Sequence, residues 1–217
     1  MDQIQKSIPL HLQAYEILKK QILTGKLISG ERLLEKKLSQ DLGVSRSPIR
    51  EALRMLEQDE LVVLNPNGLI VNSLEMSDMK EIYQCSIAIE PYAVNLAASN
   101  LNEKDIKDLR AFIQKARESH LRKEYNVIVE FNTGFHESII VKCGNSRLIS
   151  IIDKLRALTI LRRRAELEFY HKRSDEYLLE HEEILDALAQ KDGETAELLM
   201  KKHIMNDYKV FEKMYKK

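Results

Sequence analysis

The chain of 217 residues holds two cysteines, four prolines and seven glycines, and its 34 basic residues cancel its 34 acidic ones. Each scarcity excludes something. Cys85 and Cys143 are too few for a disulfide scaffold and fit buried thiols in a reducing compartment. No apolar run approaches the length that crosses a bilayer, and the N-terminus lacks an apolar signal core, so the expectation is a cytoplasmic protein with no membrane partner. A general polyanion binder would be strongly basic, so any affinity for nucleic acid must come from local clustering of charge. There is no glycine-rich phosphate loop, no serine or cysteine in a recognisable nucleophile frame, no internal repeat and no low-complexity stretch.

The scarce residues are also unevenly placed. From Met76 onward glycine and proline are confined to Pro91, Gly134, Gly144 and Gly193. The pattern predicts helices at about Ser77–Ser99, Asn102–His120, Glu124–Lys142, Ser146–Arg173, Ser174–Gln190 and Gly193–Lys216. Six helices in about 140 residues make an antiparallel bundle. The fold class is therefore mainly α, with domains at 1–75 and 76–217.

The first domain carries the densest local signal, Leu42-Gly43-Val44-Ser45-Arg46-Ser47-Pro48-Ile49-Arg50-Glu51-Ala52-Leu53. Gly43 supplies the positive φ of a tight turn between two helices. Ser45 and Ser47 are both N-cap candidates, and Pro48 suits a first helical turn. Ile49, Leu53 and Leu56 recur at helical spacing and pack inward. Arg46 and Arg50 lie four apart and share the opposite face. A short helix at about Glu35 to Gln40 precedes the turn, with Leu34, Leu38 and Leu42 expected to face inward. An earlier helix, roughly Leu10 to Thr24, offers Leu12, Tyr15, Leu18 and Ile22 as a buried stripe. Two apolar runs, Leu61–Leu64 and Leu69–Val71, flank the hairpin turn Asn65-Pro66-Asn67-Gly68.

This order is that of a winged helix-turn-helix, and it points to double-stranded DNA. Arg46 and Arg50 are the candidates for bases or nearby phosphates, and the helix start at Ser45, Ser47 and Pro48 favours phosphate. Lys36 is a groove-edge contact, and the wing tip at Asn67 and Gly68 lets the backbone approach a sugar-phosphate wall. From Lys26 to Arg54 there are seven basic residues against four acidic ones. That modest excess predicts weak binding by one copy, and hence a homodimer reading an inverted-repeat operator.

Residues 8 to 75 resemble the GntR family of bacterial transcription regulators. The matching residues are Gly30-Glu31-Arg32-Leu33, Glu35, Leu38, Leu42 to Pro48, Arg50-Glu51-Ala52-Leu53, Leu56 and Gly68. Ser29 departs from the proline usual before the glycine.

In the second domain His136, His181 and His203 each stand beside apolar positions and so point into the bundle. Spacing alone leaves two readings open, hydrogen-bonded core histidines or metal ligands collected from facing helices. The segment from Met76 to about Tyr208 resembles the FCD effector domain of FadR-type GntR regulators. The matching pieces are Ile89-Glu90 with Leu96-Ala97-Ala98, Phe135-His136 with Gly144-Asn145, Glu180-His181 with Ile184-Leu185, and Asp192 with Ala196, Met200 and His203. The resemblance implies a divalent metal held by these three histidines and a fourth ligand, in a cavity that binds a small carboxylate effector. Two departures follow. Asn132 occupies the place of the usual aspartate, which favours Zn²⁺ or Ni²⁺ as the cofactor. Ser86 stands where an arginine usually clamps the carboxylate; Arg156, Arg162, Arg163 and Arg164 share one long helix, at least one of them is expected to face the cavity, and Arg162 is the candidate replacement.

The reading is a ligand-responsive repressor, not an enzyme. Two rival readings fit the residues less well. A metal-dependent hydrolase would use the three histidines, but Ile140 and Leu185 stand where a zinc-protease motif has its second histidine. An effector-independent architectural DNA-binding protein would be more basic and would lack a pocket-bearing second domain.

Overall fold

The computed structural model describes residues 8–165 and 174–215. The chain divides into two compact units between Ser73 and Leu74. No helix among the described residues is long and apolar enough to cross a membrane.

The first unit contains α1 (Leu10–Leu23), α2 (Glu35–Leu42), α3 (Arg46–Gln58), β1 (Val62–Asn65) and β2 (Gly68–Val71). α1 lies on α3, burying Ala14, Tyr15, Leu18 and Ile22 against Ile49, Ala52, Leu53 and Leu56. The strands pair antiparallel, Val62 opposite Val71 and Asn65 opposite Gly68. The loop before α2 extends this pairing: Leu33 N–H donates to Leu69 O, and Val71 N–H to Glu31 O, each at 2.9 Å. The expected inward stripes are only partly kept. Of Leu34, Leu38 and Leu42, Leu38 is buried, Leu34 is 47% exposed and Leu42 is half-buried. Leu34 sits outside the helix with extended backbone (φ −104°, ψ 114°), so it leaves the helical face. Leu12 is exposed at the rim of α1, and Ala14 takes its place inside.

The second unit contains α4 (Met76–Ala98), α5 (Glu103–Leu121), α6 (Tyr125–Ile140), a short 3₁₀ turn (Val141–Cys143), α7 (Ser146–Ala165), α8 (Ser174–Ala189) and α9 (Gly193–Tyr215). The part of the expected fourth helix beyond Ala165 lies outside the described residues. Asn102 and Asp105 cap α5 reciprocally: each side chain accepts the other's backbone N–H, both at 3.0 Å. α9 packs along α4, α5 lies against α6 and α8, and α7 touches α4 and α6. The core is filled by Met79, Leu101, Leu109, Ile128, Phe135 and Tyr177. Cys143 is buried, whereas Cys85 is exposed on α4, so the expectation of two buried thiols fails for one of them.

Gly43 ends α2 with φ +66°, and no atom would stand within 4 Å of an added Cβ. The requirement at this turn is conformational, not steric crowding by neighbours. Gly43→Ala should therefore destabilise the first unit by about 1–2 kcal/mol, and Gly43→Asn by less, because asparagine tolerates the left-handed region. Denaturant melts of the two variants against wild type measure this. Equal losses would show that the turn does not depend on the left-handed geometry.

Candidate DNA-reading face and histidine centre

The turn at Gly43 brings the start of α3 to the surface. Ser45 occupies the N-cap with extended backbone, but its hydroxyl makes no capping hydrogen bond. Ser47 lies inside the first turn and is not a cap, so of the two serines expected there only Ser45 holds that position. Lys36, Ser45, Arg46, Ser47, Arg50 and Asn67 are exposed, while Pro48 and Gly68 are half-buried. At the wing, Asn65 Oδ1 accepts the Asn67 N–H at 2.9 Å, and Gly68 takes φ +111°. The Arg32 side chain lies beside Gly68, 3.5 Å from where a Cβ would stand, which adds a cation to the wing that the motif reading did not single out.

A second feature was not anticipated. Glu35, the first residue of α2, accepts two hydrogen bonds from Arg50: Nε to Oε1 at 3.1 Å and Nη2 to Oε2 at 3.0 Å. The hydrogen bonding from Arg50, with the charges of Arg50, Arg46 and Arg54, holds the Glu35 carboxyl below its ordinary range. Arg50 is raised in return by the same pair.

In the second unit His136 (α6), His181 (α8) and His203 (α9) converge, all buried, each offering a nitrogen within 4.8 Å of the other two. Nε2 of His136 and Nε2 of His181 stand 3.3 Å apart. The His181 ring stacks on Phe135 with centroids 4.3 Å apart, which fixes its plane. His203 Nδ1 lies 2.7 Å from Glu180 Oε2. An ionised carboxylate only accepts, so Nδ1 carries a proton toward it, and in the neutral ring that tautomer leaves Nε2 as the lone-pair nitrogen. Asn206 Nδ2 donates to the other oxygen of Glu180 at 2.8 Å and holds that carboxylate still. Burial, reinforced by Arg156, the two other imidazoles and Arg163, holds His136 well below the ordinary imidazole value. It is neutral at pH 7.

These donors fit a divalent ion. Two nitrogens bound at about 2.0–2.1 Å in tetrahedral geometry lie roughly 3.3–3.4 Å apart, which is the His136–His181 spacing. His203 has the carboxylate-backed arrangement of a metal-ligating histidine. Asn132 is buried one turn before His136.

Beside the histidines is a cavity of about 30 Å³ whose lining includes Tyr83, Ser86, Glu90, His136, Arg156 and Arg163. Ser86 is therefore at the cavity, as expected. Arg162 is not: its Nη1 donates to Leu74 O at 3.3 Å and its guanidinium lies 5.6 Å over the Phe211 ring. One residue further along a helix turns the side chain by about 100°, and that rotation puts Arg163 on the cavity side. Arg156, two turns earlier, shares that side. Arg156 Nη2 donates to Glu90 Oε2 at 2.7 Å with both side chains buried. Its Nη1 makes no hydrogen bond among the described residues. Arg163 donates to Asp207. Burial pushes the Tyr83 hydroxyl up to about 12, so it stays protonated.

A hydrolase would need a carboxylate base at the imidazoles. Glu137 is exposed, Glu182 is tied to Arg117 at 2.7 Å, Glu90 is held by Arg156, Asp207 by Arg163, and Glu180 by His203 Nδ1 and Asn206.

The sequence profile described as "Bacterial regulatory proteins, gntR family" matches residues 10–69, and that described as "FCD domain" matches residues 81–206. The chain is 32% identical to the HTH-type transcriptional regulator YdhC of Bacillus subtilis (strain 168), over 94% of this chain and 92% of that one. It is 30% identical to the HTH-type transcriptional repressor RspR of Escherichia coli (strain K12), over 93% and 89%. Its fold matches E. coli McbR/YncC with a TM-score of 0.79 and 24% identity, covering 96% of this chain and 100% of that one. The chain belongs to the gntR family of bacterial regulatory proteins, in the branch whose second domain is an FCD domain, and is a DNA-binding regulator of transcription, not an enzyme.

Proposed function

We propose that this regulator is a cytoplasmic homodimeric repressor, released from or retuned on an inverted-repeat operator by a small organic acid. The observation that carries the reading is the unsatisfied Nη1 of the buried Arg156, beside three convergent imidazoles and the cavity. A buried cationic donor without an acceptor is costly, and a carboxylate satisfies it. Arg156 thus replaces the arginine missing at Ser86. His136, His181 and His203, with Asn132 as the fourth, hold a divalent ion for which Zn²⁺ or Ni²⁺ suits the nitrogen-rich, uncharged donor set. When bound, the ion supplies a Lewis-acidic anchor for a carboxylate or hydroxyl oxygen.

A cavity of about 30 Å³ holds only a water or two. A multi-atom acid needs a wider bundle, so effector binding selects an arrangement different from the closed one. Differential affinity of that kind is what shifts an equilibrium. Arg162 lies on α7 with Arg156 and Arg163, and it grips the backbone of Leu74, the first residue after the boundary between units. Movement of α7 is thereby communicated to the connecting chain.

On the DNA side, Arg46 and Arg50 read the major groove from α3, Ser45, Ser47 and Pro48 approach phosphate at its start, and Asn67 and Gly68 meet the backbone at the wing. The second unit supplies most of the dimer contact.

Selection of bound duplexes from a randomised pool should return an inverted repeat. Arg46→Ala and Arg50→Ala should each relax one position per half-site by roughly 5- to 150-fold. Lys36→Ala should weaken binding to all sequences and flatten its salt dependence. Unchanged preferences in both arginine variants would refute major-groove reading by this face.

Metal-stripped protein titrated with Zn²⁺ and Ni²⁺ should bind one ion per chain. His181→Ala should abolish that binding, and Asn132→Asp should tighten it by restoring an anionic ligand. If no ion binds at any concentration tested, the imidazoles are core residues and the metal reading is wrong.

Arg162→Gln should leave ion binding at the wild-type level yet shrink the effector's change in operator affinity, a change set at roughly 5- to 150-fold by ordinary coupling energies. A thermal-shift screen of small organic acids identifies the effector for this measurement. An undiminished response would place transmission elsewhere.

A further inference from the structure

We propose that Glu35 is a positioning residue for base reading: it grips the side of the Arg50 guanidinium and leaves the end of the fork to meet guanine. The inference rests on the reading that Arg50 contacts a base. A guanidinium offers two planar donor pairs, one along its Nε–Nη2 side and one across its Nη1–Nη2 end. Glu35 takes the side pair, at 3.1 and 3.0 Å. The end pair, two hydrogens on Nη1 and the second on Nη2, stays available, and its spacing matches O6 and N7 of guanine. The Arg50 side chain is still 57% exposed, so the grip does not hide it.

Glu35 is well placed for the task. It begins α2, where the helix dipole favours a carboxylate. Arg46 and Arg54 add their fields to that of Arg50 around it. The two partners are 15 residues apart on different helices, so the pair exists only when the turn at Gly43 has its observed geometry. Without this brace, a long side chain would lose much of its rotamer freedom on binding. A carboxylate near the groove also repels phosphate wherever no guanine repays the approach. It therefore sharpens discrimination more than it raises affinity.

A latch that withholds Arg50 from DNA is the opposite arrangement, and it would occupy the end pair. The two are separated by selecting duplexes from a randomised pool with the full-length wild type, Glu35→Gln, Arg50→Ala and the double variant, all checked for equal thermal stability. Guanine preference at one position per half-site should fall roughly fivefold or more in Glu35→Gln. Affinity for unrelated duplex should hold or rise. The double variant should lose no more preference at that position than Arg50→Ala does. Glu35→Asp, which keeps the charge and the fork, should recover part of the preference. Tighter binding to every sequence with guanine preference intact would establish the latch and overturn the proposal. Loss of binding to specific and unrelated duplex alike would overturn it too. If Arg50→Ala itself leaves the preference unchanged, the underlying reading of Arg50 fails and Glu35 has nothing to position. If only Arg50→Ala relaxes the position, that reading stands and the role of Glu35 does not.

Discussion

The second unit is organised by one constraint: polar groups buried in a helical bundle must satisfy one another. His136, His181, His203, Arg156, Glu90 and Asp207 all sit in the interior among aliphatic and aromatic side chains. An ion left unpaired there costs several kcal/mol, about 3–5 when one partner of a buried pair is removed. Each contact therefore ties helices together. Arg156–Glu90 joins α7 to α4, Arg163–Asp207 joins α7 to α9, His203–Glu180 joins α9 to α8, and His181–His136 joins α8 to α6. A well-packed apolar set would stabilise the same bundle as well or better. Among the described residues Arg156 Nη1 and His203 Nε2 lack hydrogen-bond partners, and a polar interior left partly unsatisfied in this way supports the proposed binding site.

The first unit solves the opposite problem. Its interior is apolar, and its charge lies on the surface. The constraint there is angular. A left-handed residue at Gly43 sets α2 against α3, and only then does the carboxylate at the start of α2 reach the guanidinium one turn into α3. Backbone conformation at one glycine thereby governs the presentation of a side chain seven residues later.

Local signals made much of this readable from the chain. The Gly43 turn, the Pro66-Asn67 hairpin loop, the helix start at Asn102 and the inward placement of three histidines all depend on residues near each other in sequence. Failures occurred where a helix face had to be assigned among near-equivalent neighbours, or where the partner was remote. In the run Arg162-Arg163-Arg164, charge alone cannot say which guanidinium turns inward, and the structure chose Arg163. Glu90 lies 66 residues from Arg156, so their pairing leaves no trace in periodicity. The three leucines at positions 34, 38 and 42 have perfect helical spacing, yet α2 is eight residues long and Leu34 precedes it. The Arg50–Glu35 brace spans two elements and was equally invisible, although both residues belong to the resemblance that identified the motif.

One helix links these themes. α7 contributes Arg156 and Arg163 to the polar interior, and through Arg162 it holds the Leu74 carbonyl. Leu74 is itself buried, with φ +38°, an unusual backbone state for a branched side chain that packing must maintain. Arginines seven apart share one helical face, and Arg162, one residue before the second of them, faces elsewhere. A rigid helix cannot alter its Arg156–Glu90 contact by rotation or sliding without displacing Arg162 as well. On the proposed reading, a carboxylate accepting from the open Nη1 of Arg156 would bear on the setting of Leu74 through the one helix that carries both contacts. No relay of side-chain contacts is needed, and the coupling is limited by how differently the two arrangements of α7 bind that ligand.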